Sequence, residues 1–189
     1  MTHTLRALRF HSRVMIVVLV LFTLLATVAA CTQLQALASP DPYASGDLPE
    51  GVTVFDDSYP AIVNLDPALL SALRAGAADA GQHGVEFVVN SGWRSADYQQ
   101  QLFDEAVATY GSAEEASRWV APPNSSAHVT GEAVDIGPTG ARLWLSEYGA
   151  EYGLCQIYDN EPWHFELRPE AIDNGCPPSY TDAADDPNA

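Results

Sequence analysis

Apolar residues recur along the middle of the chain in two spacings, one typical of helices and one typical of strands. A helical pattern begins at Pro67 behind the capping residue Asp66, continues through ALLSALRAGAADA and stops at Gly81 to Gly84. The strongly apolar VEFVVN of Val85 to Asn90 then has the composition of a buried strand. This region therefore predicts a helix that is followed directly by a strand.

Further helices and short strands are predicted toward the carboxyl end. Ser95 begins a helix over ADYQQQLFDEAVATY that Gly111 ends, and Ser112 with Glu115 forms a capping box for a short helix through Trp119. The remaining predicted elements are a strand at Glu132 to Ile136, a helix at Arg142 to Tyr148, and strands at Gly153 to Tyr158 and Trp163 to Leu167. This order predicts an α+β fold with a small, mostly antiparallel sheet and helices packed on one side of it.

The first thirty residues have the layout of an export signal and are excluded from the fold prediction. Three arginines precede an uncharged apolar run from Val14 to Ala30, and small residues lead into Cys31. We expect a lipoprotein signal in which Cys31 becomes the acylated first residue and attaches the protein to the membrane. An uncleaved membrane anchor and ordinary cleavage after Ala30 are the alternatives. All three predict an exported, extracytoplasmic protein.

The mature chain is long enough for one domain with its own core. Residues 31–50 are rich in Pro, Ser, Ala, Gly and Asp, which predicts a flexible tether. We expect the folded domain at residues 51–178 and a frayed, acidic tail at residues 179–189.

Acidic residues dominate the charge of the mature chain. All 25 of them follow the leader, against five arginines and no lysine. This balance argues against nucleic acid as a partner, because nucleic-acid binding needs a basic surface. A solvated acidic surface that keeps an exported protein soluble explains the composition, and we expect a monomer.

Two short strings carry side chains that could bind a metal ion. His128 and Asp135 lie in SSAHVTGEAVD, and His164 lies in EPWHFE. Imidazole and carboxylate are good zinc ligands, and three protein ligands leave one tetrahedral position for water, as a catalytic site requires. A structural His–Asp hydrogen bond would explain either string alone. The two strings together favour one Zn²⁺ per chain, carried by the predicted sheet.

Glu161 is the candidate base, because it lies three residues before His164. Residues three apart in a regular strand point to opposite faces, but Pro162 marks a strand start and leaves Glu161 in the preceding turn. Glu166 shares a strand face with His164 and is the rival base. We rank it second, because its position favours a role in orienting an imidazole.

Cys155 and Cys176 are expected to form a disulfide, since export places them where disulfides persist. The bridge would enclose EPWHFE and contribute roughly 3 kcal/mol by the loop-closure relation. Zinc ligation is the alternative, but the spacing of these two residues lacks a tight cysteine pair.

Three strings, in a fixed order, carry a family resemblance. They are SGWRSADYQQQLF at Ser91 to Phe103, VAPPNSSAHVTGEAVDIG at Val120 to Gly137, and EPWHFEL at Glu161 to Leu167. With them the chain resembles the VanY-like D-alanyl-D-alanine carboxypeptidases, zinc metallopeptidases that trim peptidoglycan stem peptides. The pattern Ser-x-His-x-x-Gly-x-Ala-x-Asp followed by Glu-x-Trp-His is specific to this resemblance.

The resemblance implies an activity and a role for each matching residue. It implies removal of a terminal D-alanine, with D,D-carboxypeptidase activity favoured over L,D-carboxypeptidase or dipeptidase activity. It implies that zinc is bound by His128, Asp135 and His164, that Glu161 is the general base, and that Arg94 steadies the scissile carbonyl and its developing oxyanion. It also implies that Ser126 and Gln99 lie near the terminal carboxylate or backbone of the substrate.

The chain departs from many family members just before the third string. CQIYDN leads almost directly into EPWH, where many relatives carry a longer insertion with basic and aromatic residues. The wall that selects the substrate is therefore expected to differ, and the three activities cannot be separated from sequence. A non-catalytic, zinc-stabilised wall-binding module is the alternative function. The presence of Glu161 and Arg94 argues against it, because a scaffold needs only the ligands.

Overall fold

Four short strands form one antiparallel sheet in the computed structural model, which describes residues 41–187. In chain order they are β1 (Val88–Ser91), β2 (Ala133–Gly137), β3 (Leu154–Gln156) and β4 (His164–Leu167). Their order across the sheet is β1-β2-β4-β3, so β2 and β4 are the central strands. The predicted α+β fold with a small antiparallel sheet is confirmed.

The described helices lie before, between and after these strands along the chain. They are α1 (Pro60–Val63), α2 (Pro67–Gln82), α3 (Ala96–Tyr110), α4 (Ala113–Ala116), α5 (Ala127–Thr130), α6 (Thr139–Tyr148) and α7 (Ala171–Asn174), with single 3₁₀ turns at Gly149–Tyr152 and Ala183–Asp185. The predicted caps are present, since Asp66 accepts from two amides of α2 and Ser95 accepts from Tyr98. Gly111 ends α3 with a φ of 88°.

The main core lies between α2 and the sheet. Leu69 and Leu73 of α2 are fully buried against Val134 of β2 and Phe165 of β4, which belong to the same apolar cluster. Burial of each such side chain stabilises the fold by about 1.5 to 3 kcal/mol. The two central strands are therefore held firmly from one face.

The structure differs from the predicted elements in the start of one strand and in several short helices. The first strand begins at Val88 rather than Val85, because the Val85 amide donates to Ala80 and continues the turn that leaves α2. Helices α1, α5 and α7 were not predicted, because four residues are too few to display a helical period.

The segment before the predicted domain boundary contacts the domain. The carbonyl of Ser45 accepts a hydrogen bond from the Ser95 amide at 2.9 Å, and Leu48 packs against the main core. These contacts fix the chain immediately before α3. Arg94 in this stretch and Gln99 in α3 belong to the site described below.

The acidic segment at the other end is also packed, although the sequence predicts fraying there. The Tyr180 amide donates to the Ile157 carbonyl at 2.8 Å, and the Asp159 amide donates to the Tyr180 carbonyl at 2.9 Å. Asp182 and Ala183 are buried. Their burial depends on contacts with distant parts of the chain, which a local excess of acidic residues does not reveal.

Within residues 41–187, no helix has both the length and the apolar character needed to cross a bilayer. The predicted signal segment at residues 1–30 and the predicted lipidation site Cys31 lie outside the described residues, as does the tether up to residue 40.

Candidate metal centre and active site

Two of the predicted ligands are neighbours on the central strands. Asp135 of β2 and His164 of β4 are directly paired across the antiparallel ladder. Side chains of directly opposite residues point to the same face of a sheet. The pairing of β2 with β4 therefore brings together two side chains that are far apart in sequence.

The third predicted ligand, His128, is presented by α5. This helix ends at Gly131, whose φ is 79°, and the Gly131 carbonyl accepts the Asp66 amide at 2.8 Å. A Cβ at Gly131 would collide with the carbonyl oxygen of Asn64, so both the backbone conformation and the lack of space require glycine. These contacts fix α5 at the edge of the sheet, with His128 beside Asp135.

The ligand atoms converge on one point. Nε2 of His128 lies 3.4 Å from Oδ1 of Asp135, and Nδ1 of His164 lies 3.3 Å from the same oxygen. The three atoms all lie within 4.8 Å of one another. One oxygen and two imidazole nitrogens in this arrangement are a donor set that suits zinc.

Two of these atoms lack a hydrogen bond. Oδ1 of Asp135 and Nδ1 of His164 are buried without a hydrogen-bond partner, because their 3.3 Å contact is electrostatic and lacks hydrogen-bond geometry. Unsatisfied buried polar atoms are rare in proteins and call for an explanation. A cation between the three side chains would satisfy both atoms, so the residues present fit a zinc ion.

The far side of each imidazole has its own partner. Nδ1 of His128 lies 2.8 Å from the Gly92 carbonyl, which can only accept, so this nitrogen carries the proton and Nε2 is left for a metal. Nε2 of His164 lies 3.1 Å from Glu166, whose other oxygen accepts from Arg168 at 2.7 Å. Such partners orient metal-binding imidazoles. The interpretation of Glu166 as an orienting residue agrees with this geometry.

Burial and charge shift the pKa values of the three predicted ligands. Burial would raise the pKa of Asp135, but His128, His164 and Arg94 together hold it well below its usual value. Burial lowers the pKa of His128, and the positive charge of Arg94 adds to this effect. Burial opposes the charged form of His164 as well, yet the neighbouring carboxylates of Asp135 and Glu166 raise its pKa to about 9. The pKa values of the two imidazoles are therefore shifted in opposite directions.

Glu161 lies in the turn before β4, as the position of Pro162 predicts. Its Oε2 is 3.9 Å from Nδ1 of His164, and 12% of its side chain is exposed. Burial raises its pKa to about 7, although the neighbouring His164 acts in the opposite direction. A carboxyl group with a pKa near neutrality can both take up and release a proton at physiological pH.

Arg94 lies between β1 and α3 and contacts three side chains with its guanidinium group. Nε donates to Ser91 at 2.7 Å, Nη1 donates to Gln99 at 3.0 Å, and Nη2 donates to Oδ2 of Asp135 at 3.0 Å. Only 14% of its side chain is exposed. Arg94, which the family resemblance assigns to the scissile carbonyl, is therefore a fixed cation beside the ligand cluster.

The two predicted substrate-binding residues, Gln99 and Ser126, both line the cavity over the ligand cluster but have different partners. Gln99 is almost fully buried, and its amide is engaged on both sides, accepting from Arg94 and donating to the Ala121 carbonyl at 2.7 Å. It positions Arg94 and the chain at Ala121. Ser126 precedes α5 without capping it through its side chain, and it lines the cavity over the ligand cluster.

This cavity has a volume of about 250 Å³ and contains every predicted ligand, Glu161 and Arg94 in its lining. We call it the metal-site cavity. The lining residues that were not singled out from sequence include Trp119, Tyr158 and Ala183. The ring of Tyr158 lies 4.9 Å from that of His164, and burial raises the pKa of its hydroxyl. Tyr158 lies in a predicted strand, and nothing local distinguishes it from an ordinary core residue.

Cys155 and Cys176 form a disulfide, with their Cα atoms 5.6 Å apart. The bridge joins β3 to the chain that follows α7. It encloses the turn that carries Glu161 and the strand that carries His164, as the sequence predicts.

Sequence comparison identifies relatives of the whole site region. The family model described as "VanY: D-alanyl-D-alanine carboxypeptidase" matches residues 63–170. A D-alanyl-D-alanine carboxypeptidase of Enterococcus faecalis is 34% identical, in a match that covers 54% of this chain and 46% of that protein. The chain thus spans less than half the length of this curated relative.

Solved structures give the same relationship. A vancomycin resistance D,D-pentapeptidase VanY variant in complex with Zn(II) has a TM-score of 0.50 and 30% identity, covering 55% of this chain and 72% of that one. VanYB in complex with D-alanine-D-alanine has a TM-score of 0.53 and 29% identity, covering 59% and 74%. The LdcB LD-carboxypeptidase has a TM-score of 0.51 and 28% identity, covering 58% and 64%. With more than half of its residues matched by the family model, this chain belongs to the VanY D-alanyl-D-alanine carboxypeptidase family.

Proposed function

We propose that the protein is a zinc-dependent carboxypeptidase that removes a terminal D-alanine from peptidoglycan stem peptides. The observation that carries the proposal is the convergence of His128, Asp135 and His164 in one cavity that also contains Glu161 and Arg94. A cluster that only bound metal would require neither the buried carboxyl group of Glu161 nor the fixed guanidinium group of Arg94. Membership of the family supports the same reaction class.

The ligand residues would hold one zinc ion through Nε2 of His128, Oδ1 of Asp135 and Nδ1 of His164. When bound there, zinc would supply Lewis-acid chemistry, polarising the scissile carbonyl and making a nearby water more acidic. Glu166 and the Gly92 carbonyl keep both imidazoles in the required orientation by accepting from their outer nitrogens.

Glu161 performs the proton transfers in this mechanism. Its carboxylate takes a proton from the attacking water and later donates it to the amine of the departing D-alanine. Its position 3.9 Å from Nδ1 of His164 places it beside the predicted ligand atoms. Its burial keeps competing solvent away from the carboxyl group.

Arg94 acts on the carbonyl oxygen of the scissile bond. As water attacks, negative charge grows on this oxygen, and a fixed guanidinium group nearby stabilises that charge. Ser91, Gln99 and Asp135 hold the guanidinium in place through three hydrogen bonds, so little reorganisation is needed during the reaction. Ser126 lines the same cavity, and we expect it to hydrogen-bond the terminal carboxylate or backbone of the substrate.

We favour D,D-carboxypeptidase activity over the two alternatives. The solved relative with bound D-alanine-D-alanine supports this choice, while the LdcB relative is an LD-carboxypeptidase. Three substrates separate the activities: a stem pentapeptide ending in D-alanine-D-alanine, a tetrapeptide ending in a single D-alanine after an L-centre, and the free dipeptide. We expect the highest kcat/KM with the pentapeptide.

Incubation of the purified protein with these peptides, followed by mass spectrometry of the products, tests the proposal. We expect D-alanine release, its loss with a chelator and its recovery with zinc. The variant Glu161→Gln should bind zinc but have little turnover. Zinc binding without hydrolysis of any stem peptide would instead favour a wall-binding module.

We also propose that the protein works outside the cytoplasm, attached to the membrane through a lipid on Cys31. The disulfide between Cys155 and Cys176 supports export, since disulfides persist in oxidising compartments. Metabolic labelling with a fatty-acid analogue tests the attachment. Label should be incorporated into the wild-type protein and be absent from Cys31→Ser.

A further inference from the structure

Residues 177–187, which we call the C-terminal segment, pack beside the metal-site cavity although they lie beyond the family match at residues 63–170. The disulfide at Cys176 ties the chain to β3 just before this segment begins. Tyr180 then forms a bridge with Tyr158, which itself lines the cavity. A short 3₁₀ turn at Ala183–Asp185 follows, and Ala183 reaches the cavity lining.

Asp182 connects this turn to Arg118, which lies next to other lining residues of the cavity. It is only 5% exposed, its Oδ1 accepts the Ala184 amide at 3.0 Å, and its Oδ2 accepts from Arg118 at 3.2 Å. Arg118 immediately precedes the lining residues Trp119 to Ala121. The carbonyl of Arg118 also accepts from Asn160 at 2.7 Å, next to Glu161. The ion pair and this hydrogen bond together join three parts of the chain around the cavity.

The C-terminal segment also borders a second cavity. This larger cavity, of about 600 Å³, shares the lining residues Ser125, Ser126, Ala127 and Tyr158 with the metal-site cavity. Asp186 lines the larger cavity, whereas Ala183 lines the smaller one. The Tyr158 hydroxyl donates to Asp186 at 3.3 Å. The segment therefore runs beside both spaces that a peptide could occupy.

We propose that the C-terminal segment is the substrate-selecting wall of the peptide cleft, with Ala183 setting the width of the cleft at the metal site. This inference rests on the proposed peptidase function and names a specificity determinant for it. The chain has only a short connection before Glu161, so this wall is supplied from a different part of the sequence.

The chemistry of the wall indicates what it admits. The carboxylates of Asp182 and Asp186 are used by Arg118, the Ala184 amide and Tyr158, so their charge is turned toward protein groups. Ala183 is the residue of this turn that lines the metal-site cavity, and its side chain is a single methyl group. A wall with this surface favours a peptide whose residues at the scissile bond have small apolar side chains. Bulkier residues at the same position would be excluded by volume.

Two alanines of the same turn provide a matched test. Ala183 lines the cavity and is 6% exposed, whereas the adjacent Ala184 is exposed and does not line it. We expect Ala183→Phe to raise KM for the D-alanine-D-alanine pentapeptide by about tenfold or more, with zinc content unchanged. Ala184→Phe should leave KM, kcat and zinc content at wild-type values. Equal KM values for Ala183→Phe and the wild type would overturn the proposal.

Ala183→Val covers the case in which the phenylalanine variant does not fold. It should raise KM for the same peptide by a smaller factor, and an unchanged KM in a folded Ala183→Val variant also overturns the proposal.

Asp182→Asn removes the charge that pairs with Arg118. We expect it to relax selection, so that a pentapeptide with a larger terminal D-residue gains in kcat/KM relative to D-alanine. Asp185→Asn, which changes an exposed charge on the same turn, is its control.

Binding measurements separate this inference from the proposed function. Calorimetric titration of each variant with the pentapeptide, in a zinc-loaded Glu161→Gln background, reports cleft width without turnover. In one outcome, the wild type hydrolyses no peptide while Ala183→Phe still binds the peptide more weakly than Ala184→Phe does. This result would overturn the peptidase proposal and support the proposal that the C-terminal segment selects the peptide. If hydrolysis is present and both variants bind the peptide equally, the wall proposal fails alone.

Discussion

Arg94 and Asp135 form a charge pair in which the two carboxylate oxygens of Asp135 have different tasks. Oδ2 accepts from Nη2 of Arg94 at 3.0 Å, while Oδ1 faces the two histidines. The arginine therefore fixes the rotation of the carboxylate that presents Oδ1. A residue proposed to act on the substrate is at the same time a support for the metal ligands.

Replacement of Arg94 by lysine keeps a positive charge but removes the planar group that bridges Ser91, Gln99 and Asp135. We expect kcat/KM for the pentapeptide to fall by about 100- to 1,000-fold, the usual loss when a fixed oxyanion donor is removed. Steady-state kinetics with saturating zinc measures the effect. Arg142→Lys, on α6 and outside the cavity lining, is the control. Wild-type kinetics in Arg94→Lys would contradict the assigned role.

Replacement of Glu166 by glutamine weakens the acceptor of the outer nitrogen of His164. We expect zinc affinity to fall by about 10- to 100-fold, as is usual for partners that orient a metal ligand. Activity should return when zinc is in excess. Competition with a chromophoric chelator gives the affinity, and Glu170→Gln at an exposed position nearby is the control. An unchanged affinity would show that His164 needs no such support.

The zinc-free protein should lose stability as Glu161 ionises. Its pKa is about 7 in the folded protein and 4.5 without burial, so the folded state binds the proton more tightly. The resulting contribution to stability is complete below about pH 4.5 and is lost as pH rises through about 7. Glu161→Gln carries no such group. Its free energy of unfolding relative to the wild type should therefore rise by up to about 3 kcal/mol between these pH values.

Urea unfolding of both proteins in the presence of chelator, at half-unit pH intervals, measures this difference. The comparison cancels the contributions of ionisable groups far from Glu161, because they are present and unchanged in both proteins. A difference that stays constant from pH 4.5 to 8 would show that Glu161 is not held in its neutral form by burial. Added zinc should diminish the pH dependence, since a nearby cation favours the ionised carboxylate.

Removal of the disulfide should destabilise the fold. For a loop between Cys155 and Cys176, a sequence separation of 21, we expect the double variant Cys155→Ser, Cys176→Ser to lose about 3 kcal/mol of unfolding free energy. Urea unfolding of both proteins measures the loss. A reductant should destabilise the wild type by a similar amount and leave the variant unchanged. Equal midpoints for variant and wild type would mean that the bridge adds nothing to folding.

The sequence predicted the site best where the functional residues lie in short strings with a characteristic spacing. His128, Asp135, His164 and Glu161 belong to short strings with characteristic spacing, and the structure brings all of them to one cavity. The turn position of Glu161 was predictable, because Pro162 restricts the backbone. The caps of α2 and α3 were predictable for the same kind of local reason.

Other features depend on contacts that no local pattern records. Gln99 lines the metal-site cavity, but the oxygen of its amide is used by Arg94 and the nitrogen by the Ala121 carbonyl, which lies 22 residues further along the chain. The C-terminal segment has the composition of a frayed tail. Its order comes from Arg118, from the bridge with Tyr158 and from the disulfide, all of which require the finished fold.

The pairing of β2 with β4 also depends on two core residues that do not line the cavity. Val134 and Phe165 are paired on the core face of these strands, between the pairs that face the metal site. A slip of one residue would turn a ligand toward the core and an apolar side chain toward the cavity. The hydrophobic pattern of the two central strands thus sets the distance between Asp135 and His164. Selection for activity therefore acts on the packing of Val134 and Phe165 as well as on the ligands themselves.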